Sequence, residues 1–256
     1  TFTGNTATGN TLSDFEGIVV NVIGSTLSID DTGGDCSTIG DWNSATKTCT
    51  LTLDFISDSV GIVIASDGIT LDGNGHTISG AGSSASQEDW GVDARFKDNF
   101  TIKNLNIENF GLGIRTSNTP TGGTITGNTI SSNLVDGIYG ETETALKITN
   151  NIVTSNERNG ITIMGAYGNY NCASNLAFLV KENTVSSNAV NGIEFVGGEQ
   201  GEVCFEQNTV NSNQNGFAIY NSQMAKFTNN ISNSNSDYGF TFSNSNTASF
   251  SGNAAT

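Results

Sequence analysis

Six times between residues 104 and 240 the chain sets two asparagines five residues apart and follows them, three or four residues on, with glycine and an apolar residue. The copies are Asn104/Asn109/Gly113, Asn128/Asn133/Gly137, Asn151/Asn156/Gly160, Asn183/Asn188/Gly192, Asn208/Asn213/Gly216 and Asn230/Asn235/Gly239. Their glycines lie 24, 23, 32, 24 and 23 residues apart, and each is followed by Ile114, Ile138, Ile161, Ile193, Phe217 or Phe240. A unit of this size holds two or three short strands and cannot bury its apolar face alone. Copies must therefore stack, which makes a solenoid.

The local pattern says that the stacked units are strands. Apolar residues alternate with polar ones in stretches such as GITIMG and GFTFSN, and nowhere do they recur at helical spacing over three turns. The fold class is therefore all-β, with coils of about 23 residues and about nine parallel rungs ~4.8 Å apart, a rod roughly 40 Å long. Alternation assigns faces. Ile161 and Ile163, Ile193 and Phe195, Phe217 and Ile219, and Phe240 and Phe242 point inward. Ile125, Ile148, Val180, Phe205, Phe227 and Phe250 form a second inward column. The repeated asparagines suit corners, because Asn tolerates positive φ and bonds its own turn, and stacked amides can bond from coil to coil. All twelve are read as a structural ladder.

The phrases GITLDGNGHTISG (Gly68 to Gly80) and FTIKNLNIENF (Phe100 to Phe110), together with the repeat, resemble the right-handed parallel β-helix proteins of the pectate-lyase-like superfamily. The resemblance extends to the surface and accessory β-helix repeat proteins and implies a single β-helix domain over 1–256. It carries little about function, since that architecture hosts lyases, hydrolases, epimerases, adhesins and spacers. The motifs of its enzymes are not matched. Asn118, not an arginine, stands two residues before Pro120, His76 stands in Gly75-His76-Thr77, and Tyr238-Gly239-Phe240-Thr241 lacks the Asp, Pro and His of the epimerase run. His76 reads as a corner residue.

One segment interrupts the pattern. An insertion at about 25–58 holds Cys36 and Cys49 around Gly40, Asp41, Trp42 and Asn43, which reads as a disulfide-closed hairpin outside the rod. Cys172 lies in the longest inter-coil loop, and Cys204 lies in a strand at an outward place within that loop's reach. Four cysteines allow three pairings, and two disulfides imply an oxidising, extracellular or cell-surface location. With no C-x-x-C and one histidine, a metal site is not expected. Glu88, Asp89 and Asp93 are the carboxylates for a Ca²⁺ ion, although their spacing is not diagnostic.

Composition narrows the partners. A net charge of -16, with 13% of residues charged, is unsuited to a nucleic-acid binder. No apolar run reaches the ~18 residues of a membrane span. Extending the alternation back to Gly91 turns Val92, Ala94 and Phe96 inward and Asp93, Arg95 and Lys97 outward. Arg115, Tyr139, Glu141, Thr162, Met164 and Glu194 share that outward face. Such a strip can bind an acidic or neutral glycan, with Arg115 and Tyr139 as base or acid.

The last residues, SFSGNAAT, align without a gap on the first, TFTGNTAT. Absent an amphipathic cap, this predicts either a segment of a longer β-helix or copies that associate through their terminal coils. The expectation is thus an extracellular structural or adhesive protein of a surface layer, sheath or filament. The alternative is a carbohydrate-active enzyme of the polysaccharide lyase or epimerase type, or a glycan-binding module, working through Arg95, Arg115, Tyr139 and Glu141.

Overall fold

The computed structural model describes residues 20–22, 26–82, 85, 87–117, 122–141, 145–165, 172, 178–197, 203–222 and 224–256. These form a parallel β-solenoid with three sheets of ten, ten and nine strands. A representative coil runs through Thr101–Lys103 in the first sheet, Asn106–Glu108 in the second and Leu112–Ser117 in the third. Thr124–Thr126 then begins the next coil and pairs in parallel with Thr101–Lys103. Among the described residues the one α-helix is the four-residue Cys36–Ile39.

Many strands of the first and second sheets are three residues long with an apolar, buried middle residue, as in Thr124–Thr126 and Thr129–Ser131. Stacked middles give continuous inward columns, and the buried apolar residues form one cluster from Leu27 to Phe227. In the upper coils this column becomes aromatic. Phe205 stacks on Phe227, and Phe217 on Phe240, each at 4.8 Å between ring centroids. The last rung has a neighbour on one side only, so Phe242 and Phe250, read as inward, are 39% and 49% exposed.

The asparagine columns are coil-to-coil amide ladders. One runs Asn128, Asn151, Asn183, Asn208, Asn230 and Asn253, each Nδ2 donating to the next Oδ1 at 2.8–3.0 Å. The same Nδ2 also donates to a strand carbonyl of the coil below, for example Asn183 to Ile148 at 2.8 Å. The second runs Asn133, Asn156, Asn188, Asn213 and Asn235. Asn253 belongs to the first ladder without having been counted in it.

Asn104 and Asn109 do not belong. Leu105 and Phe110 occupy the ladder places in that coil, and their N–H groups donate to Asn128 and Asn133 Oδ1 at 3.0 and 3.1 Å. Positive φ is likewise not a property of the ladder asparagines. It falls one residue earlier, on Asn104, Asn109, Ser132, Asn150, Ser155, Glu182, Ser187, Gln207, Ser212, Asn229 and Ser234. The reason is directional: the residue that turns the chain faces solvent, and the next one aims its amide inside.

Within 25–58, Leu27–Ile29, Thr48–Leu51 and Phe55–Ser57 are rungs of the three sheets. The disulfide-closed hairpin pairs Gly40–Asn43 antiparallel to Thr48–Leu51, which itself pairs in parallel with Thr70–Asp72. Both hairpin strands therefore belong to the first sheet, with Gly40–Asn43 as its edge strand, where a hairpin outside the rod was expected. The second disulfide joins Cys172 to Cys204. Thr1–Thr8, including Phe2 and Asn5 of the terminal alignment, lie outside the described residues.

Candidate functional site

The outer face of the third sheet carries the groups that can do chemistry. Strand register stacks Asp93, Arg115, Tyr139, Thr162 and Glu194 in one column. A parallel column stacks Ser117, Glu141, Met164 and Val196. The repeat glycines make this face possible. They adopt no positive φ, but a Cβ at Gly160 would lie 2.7 Å from the Gly192 carbonyl oxygen and 2.8 Å from Asn188 Nδ2. The bare backbone lets the second sheet turn tightly into the third, which leaves the residue before each glycine outward as well.

That extra outward place holds Trp90, one residue before Gly91, and Asp136, one before Gly137. Trp90 is the platform of the cluster. The Arg95 and Arg115 guanidinium carbons stand 4.1 and 4.5 Å from its ring, and Arg115 is 5.9 Å from the Tyr139 ring. Arg95 is pinned to Asp93 by two bonds, Nε to Oδ1 at 3.0 Å and a terminal nitrogen to Oδ2 at 2.9 Å. Arg158 forms the same fork with Asp136, whose buried carboxylate also accepts the Asn159 N–H at 3.0 Å. This fork first, and the charge of Asp136 with it, raises the Arg158 guanidinium above its ordinary value.

Arg115 differs from both. Its Nε is buried without a hydrogen-bond partner, and among the described residues its guanidinium forms no ion pair. The Trp90 Nε1 is also buried and unpartnered. Two donors side by side, one of them cationic, suit an anion, since a buried unmet donor is costly. Next to them Tyr139 donates its hydroxyl to Met164 Sδ at 3.2 Å. Removal from water first, then the negative charge of Glu141, push its phenol above the usual range. Tyr139 is therefore an acid at neutral pH and not a base.

The structure thus gathers Arg95, Arg115, Tyr139 and Glu141 on one sheet face. It adds Trp90, Asp136 and Arg158, which the sequence reading passed over. A signal was present, because Trp90, Asp136 and Arg158 each sit within two residues before a repeat glycine. All three arginines of this acidic chain lie on this face or its edge. Phe96, read as inward, is 63% exposed because positive φ at that residue reverses the alternation. His76 lies elsewhere, at the corner before the second-sheet strand Thr77–Ser79, with Nδ1 2.9 Å from Asp54. Among the described residues no three His, Cys, Asp or Glu side chains, Glu88, Asp89 and Asp93 included, converge as metal ligands.

The sequence profile of the family described as a right handed beta helix region matches residues 42–178, more than half of the chain. The chain belongs to the right-handed β-helix family. No curated protein sequence matches it. Among solved structures, this β-helix is similar to a mutant of the periplasmic alginate epimerase AlgG, with a TM-score of 0.57 and 15% identity, over 90% of this chain and 58% of that one. A double mutant of AlgG gives a TM-score of 0.55 at 15% identity, over 90% and 61%. The A-module of the Azotobacter vinelandii mannuronan C-5 epimerase AlgE6 follows with 0.46 at 15%, over 94% and 78%. The chain spans about three fifths of the AlgG chains, and at this identity the likeness is one of fold.

These matches correct the main functional expectation. The two AlgG structures that share this fold are named as alginate epimerases, not as adhesin, layer or filament proteins. The structural and adhesive expectation is therefore set aside. Among the described residues no helix is long and apolar enough to cross a membrane.

Proposed function

We propose that this β-helix is a carbohydrate-active protein of the lyase or epimerase type, working outside the cytoplasm on an acidic polysaccharide laid along the outer face of its third sheet. The observation that carries the reading is Arg115, a cation stacked on Trp90 and, among the described residues, left without an anion in a chain of net charge -16. In so acidic a protein every other arginine has found a carboxylate. Arg115 stays open for one that the ligand brings.

The roles follow from the chemistry. Arg115 binds the carboxylate of a uronate sugar and draws charge from it, which acidifies the adjacent C–H bond. Glu141, half-buried and on the same strand as Tyr139, accepts that proton. Tyr139, held protonated, returns a proton to the sugar or to the departing oxygen. Arg95, tied to Asp93, fixes the indole beneath Arg115. The two disulfides and the fold shared with a periplasmic enzyme support an extracellular or periplasmic setting.

The test is incubation with alginate and with polygalacturonate, reading ultraviolet absorbance for unsaturated ends and proton magnetic resonance for inverted C5 centres. Arg115→Ala is expected to weaken binding about 10- to 100-fold, the range of a lost hydrogen bond to a charged group. Failure of the intact chain to bind either polymer, or binding indifferent to Arg115→Ala, overturns the proposal.

A further inference from the structure

Phe96 stands one residue beyond Arg95, in the turn that follows the site strand Trp90–Asp93, and its geometry is unusual in two independent ways. It is the most exposed large apolar side chain among the described residues, at 63%. It also holds φ +61°, a left-handed conformation that a bulky side chain adopts only under strain. The other left-handed positions are mostly Asn, Ser and Gly, the residues that tolerate it. The strained backbone is fastened, with the Phe96 N–H donating to the Ser117 carbonyl at 2.7 Å and that of Ala94 to Arg115 at 2.9 Å. Any of the tolerant residues would make the same turn without strain. What phenylalanine adds is an aromatic face in water, one position after Arg95, whose guanidinium is anchored by Asp93 and Trp90. Strain over-determined by its surroundings is a mark of functional positions.

We propose that Phe96 is a sugar-stacking residue, the platform on which one pyranose ring of the bound polysaccharide lies. This rests on the reading of the third-sheet face as a glycan site. A pyranose ring turns a face of C–H groups outward, and stacking it on an aromatic ring removes apolar surface of both from water. The electron-rich face of the ring also attracts those polarised C–H bonds. A carboxylate held at Arg115 and a ring held at Phe96 together fix position and orientation. Phe96 touches the sugar and takes no part in proton transfer.

The experiment compares the intact chain with Phe96→Ala, Phe96→Gly, Phe96→Trp and Arg115→Ala, measuring alginate binding calorimetrically at low and high salt. Phe96→Ala and Phe96→Gly are expected to weaken binding roughly 3- to 10-fold, equally at both salt concentrations, while Phe96→Trp retains it. The loss in Arg115→Ala shrinks as salt screens the charge. Phe96→Gly should also melt about 2 °C higher, because glycine relieves the strained turn, so the variant gains stability as it loses binding. Normal binding by Phe96→Ala beside a weakened Arg115→Ala overturns the stacking role and leaves the glycan site standing. Absence of alginate binding by the intact chain overturns both.

Discussion

The amide ladders show how much one asparagine can hold. Asn183 donates to Ile148 O and to Asn208 Oδ1, and its own Oδ1 accepts from the backbone and side-chain nitrogens of Asn151. Removing it takes partners from buried groups on the coils to either side, so Asn183→Ala should cost about 3 kcal/mol or more, read from denaturant unfolding. Asn104→Ala is expected to cost far less, because Asn104 turns the chain at the surface and Leu105 fills the interior place. Titration tests two further residues. The Tyr139 phenol is raised by burial and by Glu141, so the spectroscopic transition lost in Tyr139→Phe should have its midpoint above 10.0. Burial alone would raise the Asp72 carboxyl, but bonds from Lys103, Asn104 and the Asn74 N–H outweigh it and hold the group below its usual 3.8. Its contribution to stability is therefore complete above 3.8 and lost as pH falls through the lower folded value. Asp72→Asn should be less stable than the parent at neutral pH, and the gap should close as acid is added below 3.8.

At the scale of the element, each coil is held by its corners more than by its strands, which run only two to five residues in the first and second sheets. The repeat glycines are required by close approach and not by φ. Alanine at Gly160 would press on the Gly192 carbonyl and on the amide of Asn188, both part of the next coil. We expect Gly160→Ala to destabilise by about 1–3 kcal/mol, the usual penalty of overpacking, and to loosen the third-sheet face beside Arg158 and Tyr139. Hydrogen exchange of the Gly137 and Gly192 amides would show it, while Gly68→Ala, with open space around its Cβ, should leave those amides unchanged.

The whole molecule is a stack in which each rung contacts its neighbours, so stability is close to a sum over rungs and interfaces. The disulfides tie this stack at two places. Cys36–Cys49 closes a loop of 13 residues, Cys172–Cys204 one of 32, and loops of these sizes contribute roughly 3–4 kcal/mol each. Replacing the second pair with serine should lower the melting temperature and increase exchange around Val203–Glu206, with lower coils less affected. If the loss spread evenly over all rungs, the stack would be one cooperative unit and not a sum.

The repeat spacing, the alternation and the glycine positions were enough to establish a stacked all-β rod, because a short unit with one apolar face has no other way to leave water. The even cysteine count pointed to disulfides for a similar reason, without fixing their pairing. Asn104 and Asn109 were misplaced by one residue because asparagine serves equally well as the turning residue outside and the ladder amide inside, and spacing does not tell these jobs apart. Phe96 was turned the wrong way because a single left-handed residue reverses the alternation that strand reading assumes. Trp90 and Arg115 lie in neighbouring coils, 25 positions apart in sequence. Their contact depends on how far a long side chain reaches across a rung, a distance set by the stack and not by the order of residues.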